Sequence, residues 1–380
     1  MTLFEKTGGY FPEYLVYDGG PLDEDRKKDG VVTYTAYWGT GPLKIPGIGE
    51  YVRTTLGQDV PDSVEDILYS HIDGGAQEND VASHILLYTY GHADAETGKI
   101  EPISPGAHLH VEPGEQLDLN VIYGYDTTED FDIRALKKLP VLKVGGVGFI
   151  DSGAAGSTNI HIHGSNVPSD GFGDNVKAEW SENWKQSFKF PKSHHHGLQW
   201  WHPHFHGSAN SQTYGGAFAN LSVGDPLRYL GEEFEDARRS YIGIKNFNLD
   251  YSQQRGIFEL ATSSFTPEAT ARNIYLLNGE YEPVKEGYET GEWNSFSFIN
   301  YSSNSFYSVK IVKPNGSPDD FSVDDPDTYT PVDTYLYGRD GYQANTITKT
   351  RTGNNNSILN GLQIEDPVDG NFQPLPAPDL

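Results

Sequence analysis

Two histidine clusters carry the residue types and spacing in this chain that could do chemistry. Asn159–Gly164 reads Asn-Ile-His-Ile-His-Gly, and Leu198–His206 reads Leu-Gln-Trp-Trp-His-Pro-His-Phe-His. Each places His at i and i+2, at His161 and His163 and again at His202 and His204, among apolar and aromatic residues that favour strands. Along a strand, side chains two apart leave the same face, roughly 7 Å from one another. Two such strands side by side would aim all four imidazoles into one space. Neutral imidazole suits copper, zinc, iron and nickel, so four converging rings with no thiolate nearby read as a metal site. One such pair alone reads more readily as the polar face of a strand. Two pairs flanked by Gly, one of them beside Trp200 and Trp201, favour the metal.

The elements that must position these residues are short strands. Val31–Trp38, Ile85–Tyr90, Gln116–Tyr123, Lys185–Phe190 and Gly215–Val223 have strand pattern and composition, with Pro and Gly between them. Gly39–Ala82 reads as loop, Asp126–Gly156 as a surface insertion, and His194, His195 and His196 as an exposed turn. His71, His84 and His92 lack ligand spacing. His108 and His110 form a third His-x-His pair before Gln116–Tyr123, without the aromatic and Gly framing of the other two, and are expected outside the metal site. A second set of strands follows at Tyr241–Phe247, Asn273–Leu277, Phe296–Tyr301, Phe306–Val312 and Thr334–Tyr337, with Leu227–Arg239 as a charged connector. After His206 the sequence contains no His, Cys or Met.

These patterns predict an all-β chain of tandem Greek-key β-sandwiches. Its divisions are a polar segment over 1–30, a metal-carrying domain over 31–226, a ligand-free domain over 240–365 and a Pro-rich stretch over 366–380. The 42 Gly and 23 Pro among 380 residues agree with a turn-rich β protein. A formal charge of −27 argues against nucleic acid or an anionic membrane surface as partner. The absence of Cys excludes disulfides, thiolate nucleophiles, iron–sulfur clusters and, within this chain, a blue copper centre. No apolar run approaches a membrane span, and Met1–Lys6 lacks a signal-peptide core.

At these motifs the sequence resembles the multicopper oxidases, as the first two cupredoxin domains of a three-domain, bacterial-type member. The resemblance runs through Pro105–Glu115, then Ile160–Gly164, where Ile162 stands for the family's Trp, and Asp170-Gly171. It continues through Gly197–Gly207, where Trp201 stands for Tyr, and Gly215–Val223, and more loosely through Leu277–Gly279 and Phe298–Asn300. It implies that His161 binds the type 2 copper of a trinuclear cluster and that His163, His202 and His204 bind the type 3 pair. Asp170 takes the place of an acidic residue that delivers protons during oxygen reduction; as Asp-Gly it also reads as a turn. His206 is not a family ligand; its same-face spacing fits a place beside the site and fits plain packing or solvent exposure equally well. The remaining cluster ligands and the type 1 copper belong to a last domain whose His-x-x-His-x-His and His-Cys-His motifs do not occur here.

The resemblance therefore implies part of an oxidase that couples one-electron oxidation of a small substrate to reduction of O2 to water. It would be inactive until a C-terminal domain or partner chain completes it, and it would be periplasmic or secreted. Two other classes compete: a non-catalytic copper-binding cupredoxin-like protein, and a cupin-type metal enzyme built on His108, His110 and Glu115. The second cupin motif, Pro-x-Gly-x-x-His, is absent downstream.

Overall fold

Alternation in sequence becomes alternation of burial. Val32, Tyr34, Ala36 and Trp38 point into a core while Val31, Thr33, Thr35 and Tyr37 are half-buried, the period of two that a strand imposes. The computed structural model describes residues 27–44, 84–93, 100–101, 103–123, 157–234, 236–252, 257–260, 272–281, 291–302, 311–317 and 325–350, with single positions between them. The segments expected as polar N-terminus, surface insertion and Pro-rich tail lie almost wholly outside these residues, as does most of Gly39–Ala82.

The strands before residue 225 are β1 (Lys27–Lys28), β2 (Val31–Lys44), β3 (His84–Ala93), β4 (Ile100–Glu101), β5 (Leu109–Val111), β6 (Gln116–Tyr123), β7 (His161–His163), β8 (Trp184–Lys189), β9 (Gly197–His202) and β10 (Ala219–Val223). They form two sheets. One has the order β4-β3-β2-β6-β8 with β1 on β2; the other has the order β5-β10-β9-β7. Parallel pairing of β2 with β6 and of β5 with β10 interrupts the antiparallel neighbours. Leu109, Leu119, Ile162, Phe188, Trp201 and Leu221 are fully buried between the sheets. This is the all-β sandwich that the sequence predicts.

In this part of the chain the structure departs from expectation at β2 and before β10. β2 continues through Gly39–Lys44, read as loop because of its Gly and Pro. From Gly39 onward β2 pairs with β3 and no longer with β6, whose pairing ends at Trp38, so Pro42, opposite Leu86, falls where β2 runs as an edge, the place a sheet tolerates Pro. A helix, α1 (Ala209–Tyr214), precedes β10; its one and a half turns are too short to give a helical period.

The rest of the chain supplies β11 (Arg238–Ser252), β12 (Ile257–Leu260), β13 (Arg272–Leu277), β14 (Glu280–Tyr281) and β15 (Asn294–Asn300) in one sheet. Two ribbons follow, β16 (Val312–Pro314) with β17 (Tyr329–Pro331) and β18 (Thr334–Arg339) with β19 (Tyr342–Thr350). β11 begins at Arg238, inside the expected connector, because Arg238–Ile244 pairs in parallel with Asn294–Asn300. Phe247, Ile274 and Leu276 of this sheet belong to the same buried cluster as the sandwich core. No helix among the described residues is long and apolar enough to cross a membrane.

Candidate metal centre

β7 is the edge strand of its sheet and pairs antiparallel with β9, placing His161 opposite His202 and His163 opposite Trp200. Ile162 and Trp201 face the core at 0% exposure, so the period of two sends His161, His163, Trp200 and His202 to the other face. The adjacent tryptophans therefore split: Trp201 donates Nε1–H to the Asn220 carbonyl inside the sandwich, while Trp200 stacks on His202 at 3.9 Å and on His163 at 5.1 Å between ring centroids. One nitrogen from each of His161, His163 and His202 falls within 4.8 Å of the other two.

The second ring nitrogens decide which lone pairs are free. Nδ1 of His161 lies 2.9 and 3.0 Å from the two carboxylate oxygens of Asp174. A carboxylate accepts, so Nδ1 carries the proton and Nε2 keeps its lone pair. Asp174 is itself buried and also accepts from the Ile162 amide at 3.2 Å. His202 donates Nδ1–H to the Pro203 carbonyl at 2.9 Å, and its Nε2 is buried without a hydrogen-bond partner among the described residues. Burial, together with the neighbouring His161, His163 and His204, holds the His202 pKa down to about 3, against the pull of the Pro203 carbonyl; this imidazole is neutral at physiological pH. Partial burial, His161 and His204 lower His163 as well.

His204 lies past the end of β9, with its ring 5.0 Å from that of His161 and 5.8 Å from that of His202. Its amide donates to Asn159 Oδ1 at 2.7 Å, while Asn159 Nδ2 donates to the Val176 and Ala178 carbonyls. Asn159 thus ties the His204 turn to the loop that carries Asp174. Gln186, buried on β8, donates to the Ile160 and Gly173 carbonyls and fixes the start of β7 against that loop. His204 Nδ1 is a second buried, unpartnered nitrogen. A buried imidazole nitrogen with a lone pair and no donor is the chemistry that a soft or borderline cation satisfies. The donor set therefore fits copper. His206 is exposed, 6.1 Å from His204 between ring centroids.

The structure does not bring Asp170 to these rings. Its side chain is exposed at a bend, and its backbone carbonyl accepts from Gly173 N at 2.9 Å. The carboxylate that does reach the histidines, Asp174, was missed in the sequence, where the Asp-Gly signal pointed four residues earlier. His108 and His110 also stand apart. Both hydrogen-bond Ser222 Oγ, at 3.0 and 2.9 Å, and the buried His108 ring packs on Tyr241. Glu115 accepts from the Glu112 amide at 2.9 Å, so the cupin-type trio does not assemble as a ligand set. The expected exposed turn at His194–His196 is partly interior: His194 is buried, accepting from Asn166 N and donating to the His195 carbonyl, and His195 stacks on Tyr342.

Among solved structures, this chain is similar to a multicopper oxidase from Campylobacter jejuni described as a metallo-oxidase, at 17% identity and a TM-score of 0.37, covering 68% of this chain and 38% of that one. It is also similar to a laccase from Pediococcus acidilactici (14%, TM-score 0.39, 73% and 43% covered) and to the McoA multicopper oxidase of Aquifex aeolicus (14%, TM-score 0.46, 86% and 52% covered). The chain spans about four-tenths to half the length of these structures. No family model and no curated protein matches it.

Proposed function

We propose that this chain is the copper-binding part of a multicopper oxidase-type oxidoreductase. The observation that carries this reading is the buried, unpartnered Nε2 of His202 beside nitrogens of His161 and His163, with the rings of His161 and His202 oriented by Asp174 and Pro203. In this reading His161 holds a type 2 copper, while His163, His202 and His204 hold a type 3 pair. Residues 31–226 form the metal-carrying cupredoxin domain and residues 240–365 a second one without ligands. Copper bound there would supply one-electron redox chemistry, linking oxidation of a small reducing substrate to reduction of O2 to water.

The chain's own residues prepare that site. Asp174 holds the Nδ1 proton of His161 and raises the basicity of Nε2. The Pro203 carbonyl does the same for His202. Trp200 walls one side with its indole and limits water there. Asp170, exposed on the loop leading to Asp174, holds and passes protons from solvent. The remaining cluster ligands, and the Cys that a blue copper site needs, would come from a C-terminal domain or partner chain, because this chain contains no Cys. The completed enzyme would work in the periplasm or outside the cell.

The convergence of three nitrogens within 4.8 Å also favours a second reading, a single ion held without catalysis. Metal content and visible spectrum separate the readings. Load the purified chain with Cu(II), then measure bound copper, absorption and oxygen consumption with a phenolic substrate. The oxidase reading expects more than one bound copper when the missing ligands are supplied by a downstream domain, and for the chain alone no intense blue band and no turnover. One copper per chain under both conditions supports the binding-protein reading, and a blue band from this chain alone overturns the ligand assignment.

A further inference from the structure

Lys245, on β11, is buried in a way that its own chemistry does not explain. It is 2% exposed and carries no carboxylate partner among the described residues. Its ammonium sits over three rings, 5.0 Å from the centroid of Tyr214, 5.3 Å from Phe218 and 5.2 Å from Phe247. Its two hydrogen bonds go to backbone carbonyls, Tyr301 O at 3.2 Å and Thr213 O at 3.4 Å. A buried charge without a counterion is costly, and a hydrophobic side chain of similar volume would suit an aromatic pocket better. Burial also pulls its pKa down to about 7. Stability alone would not select an ammonium there.

The two carbonyls locate its task. Thr213 O belongs to the last turn of α1, where it also accepts from Gly216 N at 3.3 Å, so the ammonium is a second donor on a helix-end carbonyl. The same residue donates Oγ1–H to the Pro203 carbonyl at 3.3 Å. The Pro203 carbonyl is also the acceptor for His202 Nδ1–H. Hydrogen bonds thus run without a gap from β11, through Thr213, to the atom that sets the tautomer of His202.

We propose that Lys245 is a positioning residue for the metal centre, fixing the last turn of α1 so that Thr213 holds the Pro203 carbonyl against His202 Nδ1. The proposal rests on the reading of His202 as a metal ligand, but its first consequence needs no metal. With the tautomer fixed from β11, a change more than one residue removed from any imidazole alters the protonated nitrogen of His202.

The test uses the full chain and three variants: Lys245→Met, which keeps the stem in the aromatic pocket, Thr213→Val, which keeps shape but loses the hydroxyl, and the double variant. In metal-free protein, nitrogen chemical shifts of His202 report which ring nitrogen is protonated. In wild type Nδ1 carries the proton; in each variant the two tautomers mix. Titration with Cu(II) alone then shows a loss of affinity of roughly tenfold, the lower end for partners behind a ligand. The double variant loses no more than either single one, because all act on one chain of contacts. Thermal stability of metal-free Lys245→Met stays level or rises. An unchanged His202 tautomer in folded Lys245→Met overturns the proposal, and so does additivity of the two losses. Should Lys245→Met not fold, wild-type tautomer and affinity in Thr213→Val overturn it equally. If tautomers shift as expected while His161→Ala/His163→Ala binds copper like wild type, the positioning stands and the metal assignment falls.

Discussion

His108 and His110 flank Leu109 at β5, and His161 and His163 flank Ile162 on β7, so two stretches of the molecule present the same spacing to their surroundings. Their partners differ. At β5 both rings turn to one hydroxyl, Ser222 Oγ, and His110 Nε2 also faces Glu112 at 3.4 Å. At β7 a carboxylate accepts the hydrogen bond from His161 Nδ1–H, and across the ladder a carbonyl accepts that from His202 Nδ1–H, leaving a buried lone pair on His202 Nε2 without a donor. Spacing selects a shared face; what the other ring nitrogen meets decides whether that face can hold a metal.

Among changes that leave every imidazole in place, breaking the better-oriented pair from behind gives the largest effect. Asp174→Ala frees His161 to turn and lowers copper affinity by roughly 10- to 100-fold with the fold intact. Isothermal titration together with circular dichroism checks both halves of that expectation. At β5 the effect is on stability instead. His108→Ala leaves a cavity under Tyr241 and a less satisfied Ser222, costing about 2 kcal/mol in denaturant unfolding while copper affinity stays at the wild-type value.

Acid tests what the two regions share. Burial lowers His108 and His202 to about 3, with His110 adding to the shift at His108 and the clustered rings at His202. Between about pH 6.5 and pH 3 the unfolded chain binds protons that these folded rings refuse. The sign is therefore a loss of stability as pH falls through that window. Thermal melts of metal-free protein should show it, with a shallower decline in His108→Gln. The smallest effect on metal binding belongs to Asp170→Asn, which leaves copper affinity unchanged. Under the proposed oxidase reading, in which Asp170 passes protons, the same change in a completed enzyme would slow oxygen reduction by about 10²–10⁴, the usual loss for a proton-transferring group. Copper content and turnover measured on one preparation check both.

Much of the fold is legible in local pattern. Gln116–Tyr123 reads as a strand from its alternation and is one end to end, because β6 is held on both sides by β2 and β8. Local pattern fails where a partner far along the chain decides. Pro42 reads as a breaker, yet it stands opposite Leu86 in a stretch of β2 that pairs with β3 and no longer with β6. The histidines of the centre are legible from spacing, whereas Asp174 is not. Its role depends on a loop folding back thirteen residues to His161, held there by Gln186 and Asn159. His194 reads as exposed because it falls in a turn, and it is buried with both ring nitrogens satisfied, by Asn166 N and the His195 carbonyl.

The central claim, that the β7 and β9 histidines and not the β5 pair hold copper, is tested most directly by one titration. Cu(II) is added to wild type, to His161→Ala/His163→Ala and to His108→Ala/His110→Ala. Bound metal is counted, and quenching of Trp200, stacked 3.9 Å from His202, provides the optical signal. The account predicts that the first variant loses high-affinity binding and most of the quench, while the second keeps the wild-type curve. Equal losses in the two, or a loss confined to His108→Ala/His110→Ala, would contradict it.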